Sequence, residues 1–65
     1  MIPVESLLWI VSMDTIVNLM HNYEPLKEGR YDGKNSIDTR YNKWDAWCIW
    51  FENGEMFVEI AKPEN

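Results

Sequence analysis

The stretch "WDAWCIWFENGEMFVEIAK", Trp44 to Lys62, holds three of the four tryptophans and both phenylalanines of a 65-residue chain. Its reading turns on Asn53-Gly54. These two residues stand between two β-rich runs, and a type I′ hairpin turn needs positive φ at both central positions, which Asn and Gly tolerate. The turn sets a register. With Glu52 opposite Glu55, the succeeding pairs are Phe51 with Met56, Trp50 with Phe57, Ile49 with Val58, Cys48 with Glu59, Trp47 with Ile60, Ala46 with Ala61 and Asp45 with Lys62.

Side chains alternate along a strand, so these pairs divide into two faces. One face carries Trp47, Ile49, Phe51, Met56, Val58 and Ile60 and reads as core. The other carries Trp44, Ala46, Cys48, Trp50, Phe57 and Ala61 with Glu52, Glu55 and Glu59. A slip of one residue would exchange the faces, so the turn and the apolar set support each other. An isolated hairpin is marginal in water, so the core face needs a cover.

The N-terminal segment offers one. Pro3 suits a first helical position, and Glu5 in the first turn suits the positive end of a helix dipole. Trp9, Met13, Ile16, Val17 and Met20 recur at spacings of three and four, which predicts a helix over about 3–22 with a single apolar stripe. Leu8 and Leu19 widen the stripe. The run "LLWIV" also permits a short strand, with Ser12 capping a shorter helix from Met13 to Asn22. Under either reading Asp14 to Asn22 is helical, and Pro25 helps end the helix.

Residues 24–43, with Pro25, Gly29 and Gly33 close together, read as a loop. Ile37, Thr39 and Tyr41 alternate against Asp38 and Arg40 near its end, a candidate edge strand. The expected fold is therefore a single α+β domain over 1–65: an N-terminal helix packed on a small antiparallel sheet of two to three strands that ends in the type I′ hairpin at 44–62.

Composition bounds the function. A domain this small buries only about 60% of its unfolded surface, so it is marginally stable unless something supports it. Cys48 is the only cysteine and His21 the only histidine, which excludes an internal disulfide and a four-ligand zinc site built from Cys and His. The N-terminus shows no secretory signal pattern, and uncharged runs such as Ser6 to Met13 are too short to span a bilayer. A cytoplasmic location follows as the expectation.

The net charge is −5, with most of the excess in residues 44–65, where Asp45, Glu52, Glu55, Glu59 and Glu64 face only Lys62. Phosphate contacts need clustered Lys and Arg, so no direct binding of nucleic acid is expected; base-stacking aromatics occupy positive grooves, and this surface is ringed by glutamates. A basic partner fits better.

Catalysis needs a constellation, and none of the nucleotide-loop, nucleophile-elbow or zincin patterns occurs. His21 and Cys48 are a residue couple used in nucleophilic catalysis, but as a lone pair they read as a helix-end residue and a strand side chain. The glutamates lack the loop spacing of a calcium site. No catalytic residue, metal or cofactor is expected.

The mixed face of the hairpin is the candidate site. Trp44, Trp50 and Phe57 with Glu52, Glu55 and Glu59 pair large aromatic contact area with charges that select an Arg- or Lys-rich target. Two other uses of this face are open: a second small core under Ile37, Tyr41 or the loop, and a homodimer contact. In size and composition the chain resembles accessory inhibitors encoded by phages and other mobile elements, which block a host protein by occupying its nucleic-acid or substrate site. The resemblance implies a noncatalytic protein-binding module or inhibitor acting on a protein with a basic surface; a structural homo-oligomer assembling through the aromatic face is the alternative.

Overall fold

Residues 1–32 and 40–64 are described in the computed structural model. The chain runs β1 (Ile2–Pro3), α1 (Val4–Ile10), β2 (Val17–His21), β3 (Glu24–Tyr31), β4 (Asp45–Glu52) and β5 (Glu55–Ala61). The five strands form one mixed sheet in the order β1-β4-β5-β2-β3, parallel between β2 and β5 and antiparallel elsewhere.

The described residues are mostly β, with one short helix, rather than the expected long helix on a two- to three-stranded antiparallel sheet. The helix expected over 3–22 ends at Ile10, where Val11 turns to extended geometry. Ser12 then directs a turn: its hydroxyl accepts the Asp14 N–H at 3.3 Å and its carbonyl the Thr15 N–H at 3.0 Å. Thr15, Ile16 and Val17 are β-branched and favour the strand that follows. That strand lies between β5 and β3, and Val17, Asn18, Leu19 and Met20 are all buried. A strand buried on both faces loses the apolar–polar alternation that distinguishes it from a helix. Trp9 and Met13, assigned to the apolar stripe, are exposed.

The segment expected to be a loop begins with β3. His21-Asn22-Tyr23-Glu24 closes β2 on β3 by a two-residue turn with φ of 54° at Asn22 and 63° at Tyr23. This strand is at the sheet edge, where Pro25 removes no needed donor. Between Asn18 and Met20 the pairing is irregular, and β3 bulges through Glu28, at φ 59°, and Gly29. A Cβ on Gly29 would lie 3.1 Å from the Leu26 Cβ and 3.2 Å from the Leu19 Cβ, so the backbone passes close to both and a larger residue would have to push them aside. The candidate strand at Ile37 and Thr39 lies outside the described residues, and Arg40 to Lys43 form a turn.

That turn starts the helix. The Trp44 carbonyl accepts the Val4 N–H at 2.8 Å and the Asn42 carbonyl accepts the Glu5 N–H at 3.1 Å, supplying partners for two helix-start amides. Lys43 reaches the Glu5 carboxylate at 2.8 Å. Val4, Leu7 and Leu8 face inward at the spacing of one helix face and pack with Val17, Leu19, Ala46, Met56, Val58 and Ile60. Tyr41 completes this core.

In the hairpin, five pairs occur as the turn dictates, from Glu52–Glu55 to Cys48–Glu59. Beyond them β4 has one extra residue: Ala46 pairs with Ile60 and Asp45 with Ala61. Trp47 is the residue left over, a β-bulge that reverses the inward–outward sense of everything before it. Ala46 is therefore buried in the core, and Trp47 is 48% exposed.

Candidate functional site

The face of the sheet away from α1 is built by β4, β5, β2 and the β2–β3 turn. Trp50 and Phe57, directly paired across the hairpin, stack at 5.7 Å with an interplanar angle of 11°. Tyr23, at the turn, tilts over Trp50 at 6.2 Å and meets Trp47 edge-on at 6.4 Å. Four aromatic rings thus form one cluster, within which Tyr23 and Trp47 are exposed and Trp50 and Phe57 partly so. Each is positioned by backbone geometry: Tyr23 by its left-handed φ, Trp47 by the bulge, Trp50 and Phe57 by the register counted from Asn53-Gly54.

The three glutamates of this face have three different environments. Glu59 is 2% exposed, and its carboxylate accepts the backbone N–H of Tyr23 at 3.0 Å and that of Asn22. It ties β5 to the β2–β3 turn and so holds Tyr23 beside Trp50. A buried carboxylate is tolerable when amide donors satisfy it. Glu55 is engaged by Arg30 through two hydrogen bonds, at 2.7 and 3.2 Å, and by the Asn18 amide at 2.9 Å. The Arg30 and Asn18 hydrogen bonds hold the Glu55 carboxyl below its ordinary value, and the Glu55 hydrogen bond raises that of Arg30. Arg30 also donates to the side-chain Oδ1 of Asn18 at 3.1 Å. Pairing with Arg30 relieves the repulsion between Glu55 and the opposite Glu52. Glu52 is exposed, and no cation among the described residues pairs with it.

Trp44 does not join this cluster. It precedes the bulge and packs against the core, edge-on to Tyr41 at 5.1 Å and to His21 at 5.4 Å, with the Lys62 ammonium 5.9 Å from its ring centre. Of the six residues singled out from the sequence, Trp50, Phe57, Glu52, Glu55 and Glu59 share a face and Trp44 lies on the other. Tyr41 packs with Trp44 and donates its hydroxyl to the Lys27 carbonyl at 3.2 Å, so it does not cover Trp50 and Phe57; Ile37 is outside the described residues. Tyr23 and Trp47 complete the cluster without a sequence signal of comparable strength, since a helix was expected at 22 and regular pairing at 47. The asparagine at position 22, tolerant of positive φ, was the one available sign of a second turn.

His21 and Cys48 are apart. The His21 Nδ1 donates to the Ile60 carbonyl at 2.9 Å, an assignment that follows because a carbonyl only accepts. Cys48 is opposite Glu59 on the other face. Among the described residues no three His, Cys, Asp or Glu side chains gather as a metal site, and no helix is long and apolar enough to cross a membrane.

Comparison with models of protein families, with curated proteins and with solved structures found no match.

Proposed function

We propose that the protein is a noncatalytic protein-binding module that holds a basic segment of another protein on the aromatic face. The observation that carries this reading is the Trp50–Phe57 stack with Tyr23 and Trp47 against it, partly open to solvent and bordered by Glu52, which pairs with no cation among the described residues. Aromatic side chains dominate binding hot spots because they bury much area with few rotamers, and their faces attract Lys and Arg side chains. The acidic balance of the hairpin strengthens that preference and disfavours nucleic acid. An inhibitor that occupies a basic site on its target, in the cytoplasm, is one form such a module takes, consistent with the lone free thiol.

Affinity capture from the source cell tests the reading. Wild-type protein is expected to retain a basic partner that Trp50→Ser/Phe57→Ser and, separately, the exposed-site variant Tyr23→Ser lose, with unchanged circular dichroism. If the double variant unfolds and Tyr23→Ser binds normally, the cluster is a second small core and the proposal fails. Sedimentation at micromolar concentration addresses the homo-oligomer: a strict monomer removes that alternative.

A further inference from the structure

Among the described residues, the β4 edge is open over most of its length: on the side away from β5 only Ile2 and Pro3 pair with it, opposite Ala46 and Asp45. Among the described residues nothing pairs there with Trp47 to Glu52. The direction of the backbone groups follows from the turn. Glu52 and Glu55 flank a two-residue loop and exchange both hydrogen bonds, so Trp50 and Cys48 also point their N–H and C=O groups toward β5, and Ile49 and Phe51 point theirs outward. The same two residues are exposed, Ile49 at 45% and Phe51 at 65%. Where β1 stops, Met1, Ile2, Ala46, Trp47, Cys48 and Ile49 line a depression of about 400 Å³ in line with the open edge.

Exposed apolar edges are ordinarily blunted by lysine, proline or a covering segment. Between Trp47 and Glu52, β4 has no lysine or proline and no covering strand among the described residues, and neither β4 nor β5 contains a Lys or Arg. Glu52 stands at the turn end of the open edge, and Asp45 lies beyond its other end, opposite Pro3; neither has a cation partner among the described residues.

We infer that the edge of β4 binds an extended segment of another protein by strand addition, and that this segment alternates apolar and basic side chains. The inference rests on the protein-binding reading above and specifies its geometry. An added strand donates to and accepts from Ile49 and Phe51. Its side chains on the helix side of the sheet lie beside the apolar Ile49 and Phe51, and those on the opposite side lie beside Trp50 and Glu52, where Lys or Arg is favoured.

A second copy fits poorly. Two-fold antiparallel pairing centred on Ile49 matches the outward groups but sets the partner's strand end opposite Ala46, where Ile2 already lies. Centring on Trp50 or Phe51 avoids β1 but pairs only the last part of the strand, Cys48 to Glu52 or Trp50 to Glu52. Either arrangement also brings two acidic hairpins together.

The probe is a blocked heptapeptide alternating valine and lysine, added to the full chain and followed by NMR and amide exchange. Slowing of Ile49 and Phe51 exchange by about tenfold or more is expected. Phe51→Pro removes an outward N–H that the β4–β5 ladder does not use, and Ile49→Lys keeps the backbone while setting a charge among the added strand's apolar side chains. Both should lose the protection of the amide at position 49 with hairpin resonances retained. Peptide shifts confined to Tyr23, Trp50 and Phe57, with Ile49 and Phe51 exchange unchanged, would overturn strand addition and leave the protein-binding reading standing. So would capture of a cellular partner that Phe51→Pro retains. No shift at millimolar peptide, or a dimer that protects the same amides without peptide, also overturns it.

Discussion

β4 and β5 are the two arms of one hairpin, similar in apolar content, and their side chains meet opposite fates. On the helix side of the sheet, Val58 and Ile60 of β5 are fully buried, whereas Ile49 and Phe51 of β4 are among the exposed large hydrophobics. The difference is position in the sheet. β5 has β4 on one side and β2 on the other, while among the described residues β4 has only a two-residue neighbour beyond it. Burial here follows the number of flanking strands and the reach of a seven-residue helix, not the hydrophobicity of the strand.

The largest expected effect tests that contrast directly. Ile60→Ala should destabilise the fold by about 3 kcal/mol, the usual cost of emptying a well-packed site, while Ile49→Ala should cost under about 1 kcal/mol. Urea denaturation of the two variants measures both. Equal losses would mean that the β4 edge is as well packed as the centre. For a domain of this length, with total stability of about 3–10 kcal/mol, the Ile60 variant approaches the limit of folding.

Next in size is Glu59→Ala, which removes the acceptor of two turn amides and should cost about 2 kcal/mol. Because Glu59 holds the β2–β3 turn, the variant should also release Tyr23 from Trp50, seen as lost NOEs between the rings. Loss of stability with the ring contacts intact would sink the positioning role.

The smallest effect concerns the opposite end of the hairpin. The Glu55 carboxyl is lowered by its hydrogen bonds to Arg30 and Asn18. Its contribution to stability is therefore fully present above the ordinary carboxylate range and is lost as pH falls through the lowered native value. Glu55→Gln should flatten the acid limb of the melting temperature against pH without altering the neutral plateau much, since the pair is solvent-exposed. An unchanged acid limb would remove Glu55 from the account.

These contrasts also explain what could be read from the residues alone. The Asn53-Gly54 turn was decisive over five pairs because a two-residue loop leaves one register. It could not reveal the bulge at Trp47, which is a decision of tertiary packing: reversing the face puts small Ala46, rather than a tryptophan, into the core beside Ile60. The helix expected over 3–22 failed for a different reason. Val17 to Met20 are buried on both sides, so their spacing carries no period of two, and the same residues satisfy a helical template equally well. In the candidate site, Trp50, Phe57 and the glutamates were legible from alternation. Tyr23 was not, because its place depends on a turn whose second residue is a tyrosine at positive φ, held by a glutamate far along the chain.

The parallel ladder between β2 and β5 has a kinetic consequence. The β2–β3 and β4–β5 hairpins each close through a two-residue turn, so both can form from neighbouring residues. Val17 meets Met56 only by closing the chain across everything between them. The entropy of that single closure, incurred before any ladder bond repays it, sets the pace at which two hairpins become one sheet.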